Sequence, residues 1–216
     1  ANISNPVKFL VGNTMMGLNL VNAAYELGVS SVLNLGSSCM FPRAGENPLR
    51  EDVILTGELE PTNEGYALAK IATMRMCEYV MREAGGLNYK TIIPCNLYGP
   101  HDNFDPVKSH MIPSAIRKVA TAHRDGADGV EIWGDGTARR EFMYAADLAD
   151  FIFYAIPRLA EMPQNLNVGL GTDYSINEYY DAIASVVGYE GGFRHDLTKP
   201  VGMKQKLVDV TRLRDF

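Results

Sequence analysis

Apolar residues along this chain recur in two alternating rhythms. Met16, Leu20, Ala23, Ala24 and Leu27 fall at i, i+4, i+7, i+8 and i+11, the spacing of one helical face, so residues 14–27 read as a helix that Gly28 ends. Ser31-Val-Leu-Asn-Leu-Gly36 is a short apolar run between turn residues and reads as a buried strand. Residues 37–63 carry Pro42, Gly45, Pro48 and Gly57 with no sustained period, which predicts a long loop of the kind that usually serves function. In residues 64–84 the apolar positions Ala67, Leu68, Ile71, Ala72, Met74, Met76, Cys77, Val80 and Met81 leave almost no polar face. That pattern predicts a helix covered on more than one side. Beyond it the pattern gives a strand at 90–93, a helix at 110–124, a strand at 130–133, a helix at 147–160, a strand at 166–168 and a helix at 175–187.

Strands alternating with helices of this length make βαβ units, hence an α/β fold with a parallel sheet. Ligands of such sheets sit beyond the carboxyl ends of the strands, which points to the loops after Gly36 and Ile93. The 26 acidic residues outnumber the 20 basic ones for a net charge of −6, which argues against nucleic acid or an anionic membrane as partner. No apolar run approaches the roughly 18 residues of a membrane span, and no basic-then-apolar leader opens the chain, so a soluble, cytoplasmic protein is expected. Three cysteines, Cys39, Cys77 and Cys95, cannot all pair with one another and show no C-x-x-C spacing, so neither a disulfide scaffold nor a metal site is expected.

Tyr66-Ala-Leu-Ala-Lys70 puts a phenol and an ammonium one helical turn apart. A nearby positive charge favours phenolate, which predicts that Lys70 draws the phenol below its ordinary value of about 10, toward the range of a working general acid. Ser37, at a strand's carboxyl end, can hold the same carbonyl oxygen that Tyr66 protonates, the pairing that ketone reduction requires. A bland helical Tyr/Lys pair is the commoner explanation of such spacing, but Ser37 and the βαβ frame favour the functional one.

Gly36-Ser-Ser-Cys39, Tyr66-x-x-x-Lys70 and Asn96-Leu-Tyr-Gly-Pro100 together resemble the extended short-chain dehydrogenase/reductases. Glu60-Pro-Thr-Asn-Glu64, Ser109-His-Met-Ile-Pro113 and Trp133-Gly-x-Gly-Thr137 extend the likeness from Ala1 to about Leu213. The resemblance implies a Rossmann-like, doubly wound parallel sheet over 1–108 and 138–165, with a substrate lobe at 109–137 and 166–216. It also implies NADP(H) as cofactor and a GDP-linked 4-keto-6-deoxy sugar as substrate, epimerised at C3 and C5 and reduced at C4. Ser37, Tyr66 and Lys70 would be the reductase triad, with Cys39 and His110 as the epimerising pair. Pro94, Asn96, Leu97 and His110 would border the nicotinamide beside Tyr66 and Lys70. Arg140 would hold the diphosphate, and Lys118, Trp133 and Lys204 would line the sugar-nucleotide pocket. Helices 14–27 and 64–84 would pair with their copies in a homodimer. A thiol and an imidazole, with ordinary values of about 8.5 and 6.5, suit proton exchange on opposite faces of a ring flanking a ketone. Competing expectations are a 4-epimerase, a 4,6-dehydratase, a plain 4-reductase, or a non-catalytic binding relative. Dehydratases of the superfamily carry an Asp-Glu pair where Ser38-Cys39 stands here.

Cys77, within the apolar helix, and Cys95 read as inert core, and His123 and His195 as structural or solvated, with His101 shaping its loop. Phe142-Met-Tyr-Ala-Ala-Asp147 departs from the family pattern and leaves Asp147 as the expected helix N-cap. No Gly-x-x-Gly-x-x-Gly turn follows a strand before residue 30, so the pyrophosphate cradle of such folds is not in this sequence. The chain opens at Ala1 directly into a helical pattern, and its 216 residues read as the back half of a Rossmann domain plus most of a lobe, roughly 60–80 residues short.

Overall fold

The computed structural model describes residues 5–106, 108–199 and 201–216. Helix α1 (Pro6–Glu26) is longer than the pattern gave, because Pro6 starts it at the position where proline's fixed φ is already helical. Gly28 closes it with φ +69°, a conformation other residues avoid. Strand β1 (Ser31–Leu35) leads into the long loop and then α2 (Glu64–Glu83), followed by β2 (Asn88–Pro94) and β3 (Asn96–Tyr98). Then come α3 (Met111–Asp125), β4 (Gly129–Trp133), β5 (Arg139–Arg140), β6 (Phe142–Tyr144) and α4 (Ala145–Ala155). The chain ends through β7 (Asn165–Val168), β8 (Tyr174–Ser175), α5 (Ile176–Val187), β9 (Gly192–Asp196), β10 (Gln205–Lys206) and α6 (Thr211–Asp215).

The expected parallel sheet is present, with strand order β1-β2-β7. β2 is buried along nearly its whole length, as a strand covered on both faces must be. Two apolar clusters meet at it. One joins Val21 of α1, Cys77 and Val80 of α2 and Tyr89. The larger one gathers Met74 of α2, Ile92, Ile93, Leu166 and Val168 of the sheet, and Leu148 and Ala155 of α4. α1 and α2 pack where Gly17 lies against the Thr73 side chain, a contact that leaves no room for a Cβ. A separate lobe packs α3 and α5 against the parallel pair β4–β9 through Ala115, Val119, Val130, Ile132, Tyr180 and Phe193.

Several boundaries differ from the sequence pattern. β7 pairs with β2, so the lobe boundary drawn at 165/166 falls inside a strand of the first sheet. The helix expected over 147–160 begins at Ala145 and ends at Ala155, giving way to a tight turn at Ile156–Arg158 where Pro157 cannot continue it. Its N-cap is Tyr144, and Asp147 instead lies in the first turn, where a carboxylate still complements the helix dipole. Strands of two or three residues (β3, β5, β6, β8, β10) escaped the pattern because pairing with distant segments makes them, not a local period.

The long loop is stapled to the far end of the chain. Leu49 N–H donates to the Leu207 carbonyl at 2.8 Å, Asp209 N–H donates to the Leu49 carbonyl at 2.9 Å, and Asn47 accepts from Leu207 N–H at 2.8 Å. This staple carries β10 to the mouth of the loop that follows β1.

Candidate active site

β1 ends beside β2 at Gly36, where a Cβ would press on Met40 Cε at 2.9 Å and the Ile92 carbonyl at 3.1 Å. The chain then turns: Ser37 is extended and its hydroxyl accepts from Cys39 N–H at 3.2 Å, starting a single tight turn over Ser38–Met40. Ser38 and Met40 are buried, while Ser37 and Cys39 stay half-buried and face a cleft. The start of α2 lines the cleft beside them. Its residues Tyr66 and Lys70 sit one turn apart, with the ammonium 5.8 Å from the phenol ring centroid.

The electrostatics differ from the sequence expectation. Burial pushes the Tyr66 phenol up, the neighbouring Cys39 charge pushes it further, and only a hydrogen bond from Ser37 opposes them. Lys70 does not draw the phenol down, because its ammonium donates to the Leu35 carbonyl at 2.9 Å; burial lowers the lysine's own value. Tyr66 is therefore held as the neutral phenol, which is the form that gives up a proton.

The cleft has a volume of about 1320 Å³ and lies beyond the carboxyl ends of β1 and β2. That exceeds the roughly 300–1,000 Å³ of ordinary small-molecule sites, as a ligand of several rings would need. His110 is the N-cap residue of α3, and its exposed side chain lines the same cleft. Pro94, Asn96 and Leu97 line the cleft floor; the Asn96 amide donates to the Glu141 carbonyl at 2.9 Å. Trp133 is 55% exposed, so it lines the cleft and not the core, with the Lys118 and Lys199 ammonium groups 5.6 and 5.5 Å from its ring centroid. Lys118 donates to the Glu131 carbonyl at 2.9 Å and is lowered by burial.

The two neighbouring arginines divide their work. Arg139 is committed to Asp173 at 2.8 Å and to Glu178 at 3.5 Å. Arg140 faces the cleft, touches only the carbonyls of Arg139 and Val201, and pairs with no carboxylate among the described residues. A half-desolvated guanidinium without a counterion is a ready anion partner. Lys204 does not line the cleft and is exposed, whereas Lys206, two residues on, does line it, its Nζ 3.8 Å from Cys39 Sγ. β10 starts at Gln205, so Lys204 lies outside the strand that carries Lys206 to the cleft, and no local period in the sequence marks that boundary.

Glu141 also escaped sequence reasoning. It is fully buried, and its carboxylate accepts from Leu170 N–H at 2.5 Å, Gly171 N–H at 2.7 Å and Val208 N–H at 3.1 Å. Burial pushes its carboxyl up while the three amides pull it down. It ties the loop after β7 and the segment after β10 to the strands that present Arg140. Glu141→Ala strands three buried amides, and we expect a loss of about 3 kcal/mol in stability, measured by urea denaturation. Cys77 and Cys95 fit the core expectation, their thiols pushed up by burial to about 11 and about 12. His195 hydrogen-bonds Asn177 Oδ1 at 2.9 Å, and His101 holds its loop in the left-handed region at φ +65°.

Residues 1–169 match the model of the NAD dependent epimerase/dehydratase family. The chain belongs to that family. Within it, the chain is 61% identical over 216 residues to the GDP-L-colitose synthase of Yersinia pseudotuberculosis, covering all of this chain and 70% of that one. It is 49% identical over 213 residues to the GDP-L-fucose synthase of Azorhizobium caulinodans, covering 99% of this chain and 68% of the relative. Among solved structures, the GDP-mannoheptose C4 reductase of Campylobacter jejuni with NADP bound superposes with a TM-score of 0.88 at 28% identity, over 100% of this chain and 72% of that one. The family's members are enzymes, and the sheet, cleft and lobe described above are those of an epimerase/dehydratase fold. No helix among the described residues is long and apolar enough to cross a membrane.

Proposed function

We propose that this family member inverts C3 and C5 of a GDP-linked 4-keto-6-deoxy mannose and reduces its C4 ketone with NADPH, giving GDP-L-fucose. The observation that carries the reading is the convergence of two proton-transfer groups on one corner of the cleft: Ser37 hydrogen-bonds the Tyr66 phenol, and the Cys39 thiol lies close enough to the same phenol to push it up. A plain ketone reductase needs only the phenol.

Each inversion breaks a C–H bond next to the ketone, with the electron pair moving to the carbonyl oxygen. Cys39 and His110, carried into the cleft by different elements, serve as the base on one face and the acid on the other. Ser37 and Tyr66 hydroxyls hold the enolate oxygen as charge develops there. After the second inversion Tyr66 gives its proton to the C4 oxygen, and Lys70, anchored on the Leu35 carbonyl, keeps the α2 wall in register.

The residues present fit the nicotinamide end of a dinucleotide. Lys70 spends one of its three N–H donors on Leu35, leaving two for ribose hydroxyls, and Pro94 and Leu97 offer a flat apolar wall. When bound, the dinucleotide supplies hydride. Arg140 holds the substrate diphosphate, with Lys118 and Trp133 beside the nucleotide. Arg140→Met is expected to raise KM for the GDP-sugar by about 10–100-fold with a smaller change in kcat, the loss of one charge-assisted hydrogen-bond pair. Product analysis after incubation with the keto-sugar and NADPH tests the activity itself; recovery of the C4-reduced sugar with unchanged C3 and C5 configuration contradicts it.

The 61% identity to a colitose synthase favours a second substrate for the same site, the 3-deoxy analogue of that ketone. Colitose is a 3,6-dideoxy hexose, so only C5 would then need inversion. Val7, Val11, Met15, Met16 and Leu20 of α1 are each more than half exposed, and Leu68 and Tyr79 of α2 are exposed beside them. We place a homodimer interface on this face, as expected for a cytoplasmic enzyme of this type. Sedimentation should give a dimer, and a monomer contradicts the assignment.

A further inference from the structure

Asn63 breaks a local rule. It occupies the N-cap of α2, where asparagine normally accepts a hydrogen bond from the helix's first amides, yet its side chain caps nothing. Its amide instead donates to Cys39 Sγ at 3.2 Å, and its Oδ1 is buried without a partner. From the other side, Lys206 brings its ammonium to 3.8 Å from the same sulfur. Two elements far apart in sequence, the start of α2 and β10, thus aim donors at one half-buried thiol. A neutral thiol is a weak acceptor, whereas a thiolate accepts strongly and pairs with a cation.

We propose that Asn63 and Lys206 are positioning residues that fix the direction of the Cys39 sulfur and stabilise its thiolate when it forms, in support of the Cys39/His110 pair. This deepens the reading above and rests on it only for the identity of the proton removed. The cost of an uncapped helix and an orphaned Oδ1 is then offset by a charged acceptor in the right place. The proton balance is simple: the substrate C–H bond breaks, an S–H bond forms on Cys39, and the electron pair goes to the oxygen facing Tyr66 and Ser37. Once protonated, the thiol can return its proton to solvent or to the ring. The charged and titratable groups lining this cleft are Tyr66 and Lys70 from α2, Lys206 from β10, Arg140 from β5, His110 and Lys118 from the α3 side, Glu131 from β4, Tyr180 from α5, and Cys95, Tyr98, His101 and Asp102 from the segment after β2.

Alkylation by iodoacetamide reads the thiolate directly and needs neither substrate nor cofactor. Cys77 and Cys95 are buried with thiols pushed far up, so near neutral pH the label should go to Cys39, identified by peptide mass. In Lys206→Met the pH midpoint of Cys39 labelling should rise by about one unit, with labelling near pH 7 about tenfold slower. Lys206→Arg should restore it to within about threefold, and Asn63→Leu should slow it about threefold. A profile unchanged in Lys206→Met, or equal slowing in Lys206→Met and Lys206→Arg, overturns the proposal. If Lys206→Met unfolds the chain, labelling of Cys77 and Cys95 reveals it, and Lys206→Gln carries the same comparison. The two claims fail separately: substrate deuterium exchange that persists in Cys39→Ser removes the epimerase reading, whereas the labelling profile judges the thiolate clamp alone.

Discussion

Tyr66→Phe should reduce C4 reduction by about 10³-fold while leaving proton exchange at C3 and C5 within about tenfold of the parent enzyme. The asymmetry follows from what the phenol does in each step. In reduction it is the group that gives its proton to the alkoxide as that oxygen forms, a transfer the Ser37 hydroxyl is too weak an acid to replace, and general-acid catalysis of this kind is worth about 10²–10⁴. In enolisation it shares the oxygen with the Ser37 hydroxyl, which remains in the variant and itself hydrogen-bonds into the same corner. Burial and the nearby sulfur keep Tyr66 protonated, so no competing loss of phenolate blurs the result. Single-turnover NADPH oxidation measures the first effect and mass analysis of recovered keto-sugar measures the second. Equal loss of both would mean that the phenol is needed for the enolate as well.

The complementary change is Cys39→Ala, expected to lower C3/C5 exchange by about 10³-fold, and His110→Gln, expected to lower it by about 10²-fold. The thiol is the larger loss because its neighbours are committed to it. Asn63 and Lys206 both direct donors at the sulfur, and an alanine leaves them facing an empty position. His110 is exposed at a helix N-cap, where a water molecule can partly replace its proton. With the authentic, already inverted ketone supplied, both variants should still reduce C4 at near-parent rates. A variant that loses reduction as well would make these residues structural supports of the cleft.

Much of this was legible in sequence because it obeys local rules. The βα alternation, the strand end before Ser37 and the Tyr66/Lys70 turn on a helix each follow from periodicity, and the structure keeps them in place. Cys39 and His110 needed the wider motifs, since a cysteine after a strand and a histidine at a helix start carry no chemistry by themselves. What stayed hidden depends on contacts across long stretches of chain. Glu141 is a buried carboxylate only because residues 169–171 and 208 come to it. Lys206 reaches the sulfur because the long loop's Leu49 is stapled to residues 207–209. Burial also reversed one expectation: Lys70 sits at the right spacing to lower the Tyr66 phenol, but its ammonium donates to the Leu35 carbonyl instead and desolvation decides the sign.

The central claim is that one cleft performs both proton exchange beside the ketone and reduction of it. Turnover of the GDP-4-keto-6-deoxy sugar in deuterium oxide with NADPH, followed by mass and NMR analysis of the product, addresses both at once. The account predicts one carbon-bound deuterium at C3 and one at C5 in the reduced product, both absent when Cys39→Ala and His110→Gln are combined. For the 3-deoxy analogue it predicts inversion with label at C5. Reduced product carrying protium at C3 and C5, with the configuration of the starting sugar, would contradict it.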